Sequence, residues 1–188
     1  MMPTLLLLDR DGVINENRRD YVTRWEDFRF LPGALEALAA LRRLGLRLAV
    51  VTNQSAVGRG LIEPGVLDGI HRRMLAACAR RGVAIEAVFV CPHAPGDGCD
   101  CRKPRPGLLA RAMAALGEPP ERCLAIGDGY EDLQAADEAG VPFVLVRTGR
   151  GVETARRLDG RAGSTLVVDD LWDVYQALRD QALVVEAS

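Results

Sequence analysis

The chain has 188 residues, 48% hydrophobic and 27% charged, with a formal net charge of −2. That is the make-up of one soluble globular domain, residues 1–188, and it excludes a disordered chain or a basic nucleic-acid binder. No apolar run nears the roughly 20 residues of a membrane span and no charged-then-apolar leader opens the chain, so a cytoplasmic protein without membrane partner is expected.

The first element is a strand over residues 4–8, in the stretch LLLLDRDGV. A continuous apolar run reads as a strand buried on both faces. Asp9 and Asp11 follow it two residues apart, so they point the same way if strand geometry persists. Two carboxylates at a buried strand end call for a cation.

Residues 33–44 predict a helix with Leu35, Leu38, Leu41 and Leu44 on one stripe. A second strand, 46–51, runs into Thr52, Asn53 and Gln54. A helix over 64–81 carries Leu67, Ile70, Met74 and Cys78 on its apolar stripe, while His71, beside two arginines, reads as solvated. Strand 87–90 leads to CPHAPGDGCDCRKP, and helix 106–116 to strand 123–126 and IGDGYED. A helix over 131–139 stops at Gly140, and strands 143–146 and 165–168 precede a last helix near 171–183. This alternation predicts an α/β fold, a Rossmann-like parallel sheet with helices on both faces and no room for a large cap domain.

In such sheets ligands bind beyond the carboxyl ends of the strands. Asp9, Asp11 and Asp128 would meet there, and three carboxylates repel one another unless a hard cation such as Mg2+ lies between them. Asp128 and Asp132 alternatively cap the helix that follows, and Asp132 is the more structural of the two. Thr52 suits a phosphoryl oxygen or, equally, a turn.

Cys91, His93, Cys99 and Cys101 fall within eleven residues and supply four soft ligands for a structural Zn2+, in a loop after the third strand. Disulfides are the weaker alternative in a cytosolic chain. Cys78 and Cys123 read as core residues. Of 24 basic residues only Lys103 is lysine, and it directly follows this loop. An ammonium is a compact point charge that a guanidinium fork does not replace, so Lys103 is read as offsetting the charge of a bound phosphate at the carboxylate site.

DRDG, a threonine after the second strand, a lone lysine and GDxxxD, in that order, resemble the haloacid dehalogenase-like phosphohydrolases. The cysteine-histidine loop running into CDCRKP is similar to a narrower branch acting on heptose bisphosphate or histidinol phosphate. The resemblance implies Asp9 as nucleophile, Asp11 as general acid and base, and Mg2+ on Asp9, the Asp11 carbonyl and Asp128. It also implies Thr52 and Lys103 as binders of the transferring phosphoryl group. A small phosphorylated metabolite and a monomeric enzyme are expected.

TNQSAVGRG and VLVRTGRG are similar to the heptose enzymes, whereas the five-residue link between His93 and Cys99 is similar to the histidinol phosphatases. Gly129 departs from the lysine common in the heptose enzymes. Two segments against one favour the heptose bisphosphate. Asn53, Gln54 and Ser55 then belong to the substrate site, and the loop from Asn17 to Tyr21 covers the sugar. Arg59 and Arg102 are candidates to grip a second phosphate or, alternatively, solvated surface charges. A receiver-type phosphorylation switch fits less well, because its phosphorylated aspartate follows the third strand, where this chain has Cys91.

Overall fold

The computed structural model describes residues 2–158 and 165–180. Its strands β1 (Leu5–Leu8), β2 (Arg47–Asn53), β3 (Ala87–Cys91), β4 (Cys123–Gly127), β5 (Phe143–Val146) and β6 (Leu166–Val168) form one sheet. Their order is β3-β2-β1-β4-β5-β6, and every pairing is parallel. The chain leaves β1 towards one edge of the sheet and returns as β4 on its other side. Such a switch in strand order opens a crevice at the carboxyl ends of the two strands.

Helices α1 (Ala34–Arg43), α3 (Pro64–Ala79) and α7 (Leu171–Arg179) cover one face. The other lies under α4 (Gly107–Leu116), α5 (Tyr130–Ala139) and α6 (Gly151–Leu158). The run of four leucines has its reason here. Leu6 and Leu8 pack with Leu38, Ile70 and Met74, whereas Leu5 and Leu7 pack with Leu108, Ala112 and Ala136. With two covered faces, both parities of the strand must be apolar.

Strand limits agree with the expected ones to within two residues. Two short helices, α2 (Ser55–Gly58) and α6, were not expected from apolar periodicity. In α1 the expected stripe shifts, for Leu44 is 39% exposed and Ala34, Ala37, Leu38 and Leu41 form the buried face. Steps of three residues turn about 60° short of a full circle, so four in a row wind off the core. The last helix is described to Arg179, and expected residues 181–183 lie outside the described ones. No helix among the described residues is long and apolar enough to cross a membrane.

Candidate active site

The parity of β1 decides what its end presents. Asp9 extends the ladder by one bond, its N–H donating to the Ile126 carbonyl at 2.9 Å. It continues the Leu5–Leu7 face, towards the side where α4 and α5 lie. There Lys103 places its ammonium 3.0 Å from Asp9 Oδ1, pairs with Asp132 Oδ1 and donates to the Val51 carbonyl at 2.9 Å. Its backbone is pinned too: Asn53 Oδ1 accepts from the Lys103 N–H, and Asn53 Nδ2 donates to the Lys103 carbonyl. Asp132 serves both ends of its expected ambiguity. One oxygen caps α5 by accepting from the Gly129 N–H at 2.9 Å, and the other pairs with Lys103.

Asp128 completes the group from the end of β4, and its side chain is fully buried. Two left-handed glycines cradle it: Gly12 (φ 88°) and Gly149 (φ 59°), where a Cβ would collide with the Asp128 carboxylate. Carboxylate oxygens of Asp9, Asp128 and Asp132 all lie within 4.8 Å of one another. Three buried carboxylates face one ammonium, so negative charge is in surplus. Burial pushes Asp9 up to about 7; Lys103 opposes this, and the neighbouring aspartates reinforce it. Burial and Asp132 push Asp128 up to about 6. For Lys103, burial is outweighed by Asp132 and Asp9, which hold it protonated above the usual lysine range.

The Asp11 carboxylate does not join this cluster, which corrects the expectation that it points with Asp9. The strand ends at Leu8, and the chain turns about the Arg10 carbonyl, which accepts from the Ile14 and Asn15 N–H groups. Alternation therefore stops. The Asp11 carboxylate instead accepts from Arg10 Nη2 at both oxygens (2.9 Å each), from Asn15 at 2.8 Å and from Gln54 at 2.7 Å. Burial raises its proton affinity, but Arg10 and these hydrogen bonds outweigh burial and hold it below the usual carboxylate range. Arg10 is fully buried, and on its far side Nη1 meets His71 Nε2 at 2.9 Å. His71 is thus 6% exposed, not solvated as its arginine neighbours implied. Its spacing held the signal: Leu67, His71, Met74 and Cys78 recur at four, three and four residues, one helix face.

The sulfurs of Cys91, Cys99 and Cys101 converge with His93 Nδ1, all within 4.8 Å. Cys91 and Cys99 Sγ stand 3.8 Å apart, and His93 Nδ1 is 3.6 Å from Cys91 Sγ and 3.3 Å from Cys101 Sγ. A disulfide needs about 2.05 Å. A tetrahedron with metal–sulfur bonds of about 2.3 Å has edges of about 3.8 Å, so the donor set fits Zn2+ with no open position.

Residues 3–140 match the family of haloacid dehalogenase-like hydrolases. The chain belongs to that family. It is 40% identical to D-glycero-beta-D-manno-heptose-1,7-bisphosphate 7-phosphatase of Pseudomonas aeruginosa, over 95% of this chain and 99% of the relative. The enzyme of the same name from Bordetella bronchiseptica is 39% identical over the same share of each chain. The crystal structure of D,D-heptose 1,7-bisphosphate phosphatase from B. bronchiseptica, complexed with magnesium and phosphate, superposes with a TM-score of 0.88. It is 37% identical and covers 95% of this chain and 99% of that one.

The carboxylates of this hydrolase fit a divalent cation by an independent observation. Asp128 Oδ1 is buried without a hydrogen-bond partner, and the nearest cation, Arg150 Nη2, is 3.6 Å away. An unpaired buried carboxylate oxygen is costly, and a hard cation with oxygen ligands would satisfy it. The crevice above opens as a cavity of about 700 Å³. Asp9, Asp11 and Lys103 reach it, as do the expected Asn17, Tyr21, Asn53, Gln54, Ser55, Arg59 and Arg102; Asp128 and Thr52 stand behind its wall. Thr52 is 1% exposed, its hydroxyl accepting from Gln54 at 2.9 Å.

Sequence reasoning missed Arg150 and Arg156 and did not single out Arg18 and Arg19 within the loop expected over the sugar; all four line the cavity. Arg150 is held by Glu131 at 2.7 Å and fills the space a side chain at Gly129 would need. The cavity wall carries eight basic and five acidic side chains. The acidic ones include Asp9, Asp11 and Asp132 at the carboxylate end, which leaves the outer rim basic.

Proposed function

We propose that this hydrolase removes the 7-phosphate of D-glycero-β-D-manno-heptose 1,7-bisphosphate, with Mg2+ held by Asp9, the Asp11 carbonyl and Asp128, and structural Zn2+ by Cys91, His93, Cys99 and Cys101. The observation that carries the reading is the pairing of Asp9 and Lys103 at the floor of a cavity whose rim is basic. Asp9 is the carboxylate of the pair with Asp128 that reaches the cavity, so it is the one an incoming phosphorus atom meets.

Its oxygen forms a bond to phosphorus as the bond from phosphorus to the sugar oxygen breaks, and Asp11 gives the departing oxygen a proton. Asp11 would first have to take up that proton against Arg10, Asn15 and Gln54, the groups that favour its ionised form. Water then attacks the aspartyl-phosphate, Asp11 takes up the water's proton, and phosphate leaves with Asp9 regenerated. Lys103 stabilises the charge on the transferring group, and Thr52 would add its hydroxyl proton only by reaching past the cavity wall behind which it stands. Bound Mg2+ supplies further positive charge there and keeps the nucleophile ionised.

The rim favours a bisphosphate over histidinol phosphate. Arg59 and Arg102 offer fork donors to a second phosphate, whereas the ammonium of histidinol would meet surplus positive charge. The test is phosphate release with Mg2+ from both compounds, compared as kcat/KM. A preference for the bisphosphate of about a hundredfold or more is expected; a preference for histidinol phosphate would overturn the substrate assignment.

A further inference from the structure

Asp11 is held through a second layer. Arg10 is the largest fully buried side chain, and its guanidinium is fixed from two sides. One end donates to both Asp11 oxygens at 2.9 Å, the other meets His71 Nε2 at 2.9 Å, and Phe28 lies 5.9 Å from its centre. A guanidinium has only donors. His71 Nε2 must therefore be bare, with the ring neutral and its proton on Nδ1. Burial and the Arg10 charge agree, pushing His71 down to about 3.

The choice of an imidazole has a physical reason. A carboxylate at position 71 would bind Arg10 more strongly, but it would share the positive charge that Asp11 receives. A neutral acceptor fixes the guanidinium and leaves its charge to Asp11.

We propose that His71 is a positioning residue: through Arg10 it sets where the Asp11 carboxylate stands relative to the leaving oxygen. This rests on the reading of Asp11 as proton donor, a role in which Arg10 places the carboxylate while its charge favours the ionised form. His71 touches no reacting atom. Its loss therefore acts on the step that needs a well-placed proton and spares a leaving group that needs none.

The experiment compares His71→Leu and His71→Gln with wild type on two compounds, the heptose bisphosphate and p-nitrophenyl phosphate. In each case kcat/KM reports events up to cleavage of the first phosphorus–oxygen bond. A positioned general acid contributes about a hundredfold or more. His71→Leu should accordingly lose at least about tenfold on the sugar phosphate and less than about threefold on the nitrophenyl ester. Gln, whose carbonyl can accept from Arg10, should recover most of the loss. Equal losses on both compounds, or none, overturn the proposal.

Should His71→Leu not fold, nitrogen-15 NMR of wild-type His71 decides. A bare Nε2 at pH 7 supports the arrangement, and a protonated one contradicts it. If wild type hydrolyses neither compound, the phosphatase reading fails, while the His71 tautomer is still read by NMR.

Discussion

Asp9 and Asp11 are two residues apart and have opposite surroundings. Asp9 sits among Asp128 and Asp132 with one ammonium beside them, and burial raises it to about 7. Asp11 has a guanidinium and two amides to itself and stays below the usual carboxylate range. Environments that push two carboxyls apart set their protonation apart. Without a cation Asp9 is the one that holds a proton, and a cation beside it is what would free it as nucleophile. The crowded one suits a cation and a phosphorus atom. The other is held by neighbours that can be counted: Arg10, Asn15 and Gln54. What separates them is a turn at Arg10, which leaves Asp9 on the α4–α5 side and turns Asp11 to Arg10, Asn15 and Gln54.

The largest effect should come from the crowded side. Asp9→Asn keeps the shape and removes the proposed nucleophile, so phosphate release should fall by about 10⁴-fold or more. Thermal unfolding should hold steady or rise, since a carboxylate that burial disfavours is gone. Substantial residual Mg2+-dependent hydrolysis would mean another residue forms the covalent bond.

The lysine on the same side can be disturbed directly or from a distance. Lys103→Met should lower kcat by about 10²–10³-fold, the scale for one charge-stabilising donor. It should also destabilise the fold, because Asp9 and Asp132 would lose the partner of a buried pair. Removing the proposed zinc should loosen the loop that ends two residues earlier, at Cys101. A drop of about tenfold in activity, restored by adding zinc back, is expected. Unchanged kinetics with zinc shown absent by elemental analysis would separate the loop from Lys103.

The smallest effect belongs to the other side and is read in stability. Folded His71 titrates near 3, while in the unfolded chain it titrates at its ordinary 6.5. Between those values the unfolded state holds the proton and the folded one does not. Stability from this group is therefore full above pH 6.5 and falls as pH drops, by at most ~1.4 kcal/mol per unit. Denaturant unfolding from pH 4.5 to 7.5 should show that slope in the difference between wild type and His71→Gln, because the raised Asp9 and Asp128 tilt both proteins the other way. An identical slope in both would place the proton elsewhere.

Much of the site was legible because short-range chemistry wrote it. Four ligands with sulfur and imidazole donors within eleven residues admit few readings, and their convergence follows from the loop being too short to separate them. Lys103 stood out as the one lysine in the chain, and it is the cation buried beside Asp9. Arg10 and His71 were missed for a different reason. They lie 61 residues apart, and each looks like an ordinary polar residue beside others until β1 and α3 are packed together. Arg150 lies in VLVRTGRG, but nothing local pointed to its role, because its place over Gly129 depends on the approach of two loops.

By itself, the sequence determined the alternation of strand and helix, the aspartates at two strand ends, the cluster of three cysteines and a histidine, and the sole lysine. These rest on periodicities of two and about 3.6 residues and on motifs a few residues long, which neighbouring residues enforce. The tertiary structure decided which way Asp11 faces, that His71 is buried against Arg10, and that six arginines beyond Arg10 line one cavity. Those outcomes depend on where a strand stops and on contacts between distant elements, and no local period encodes either.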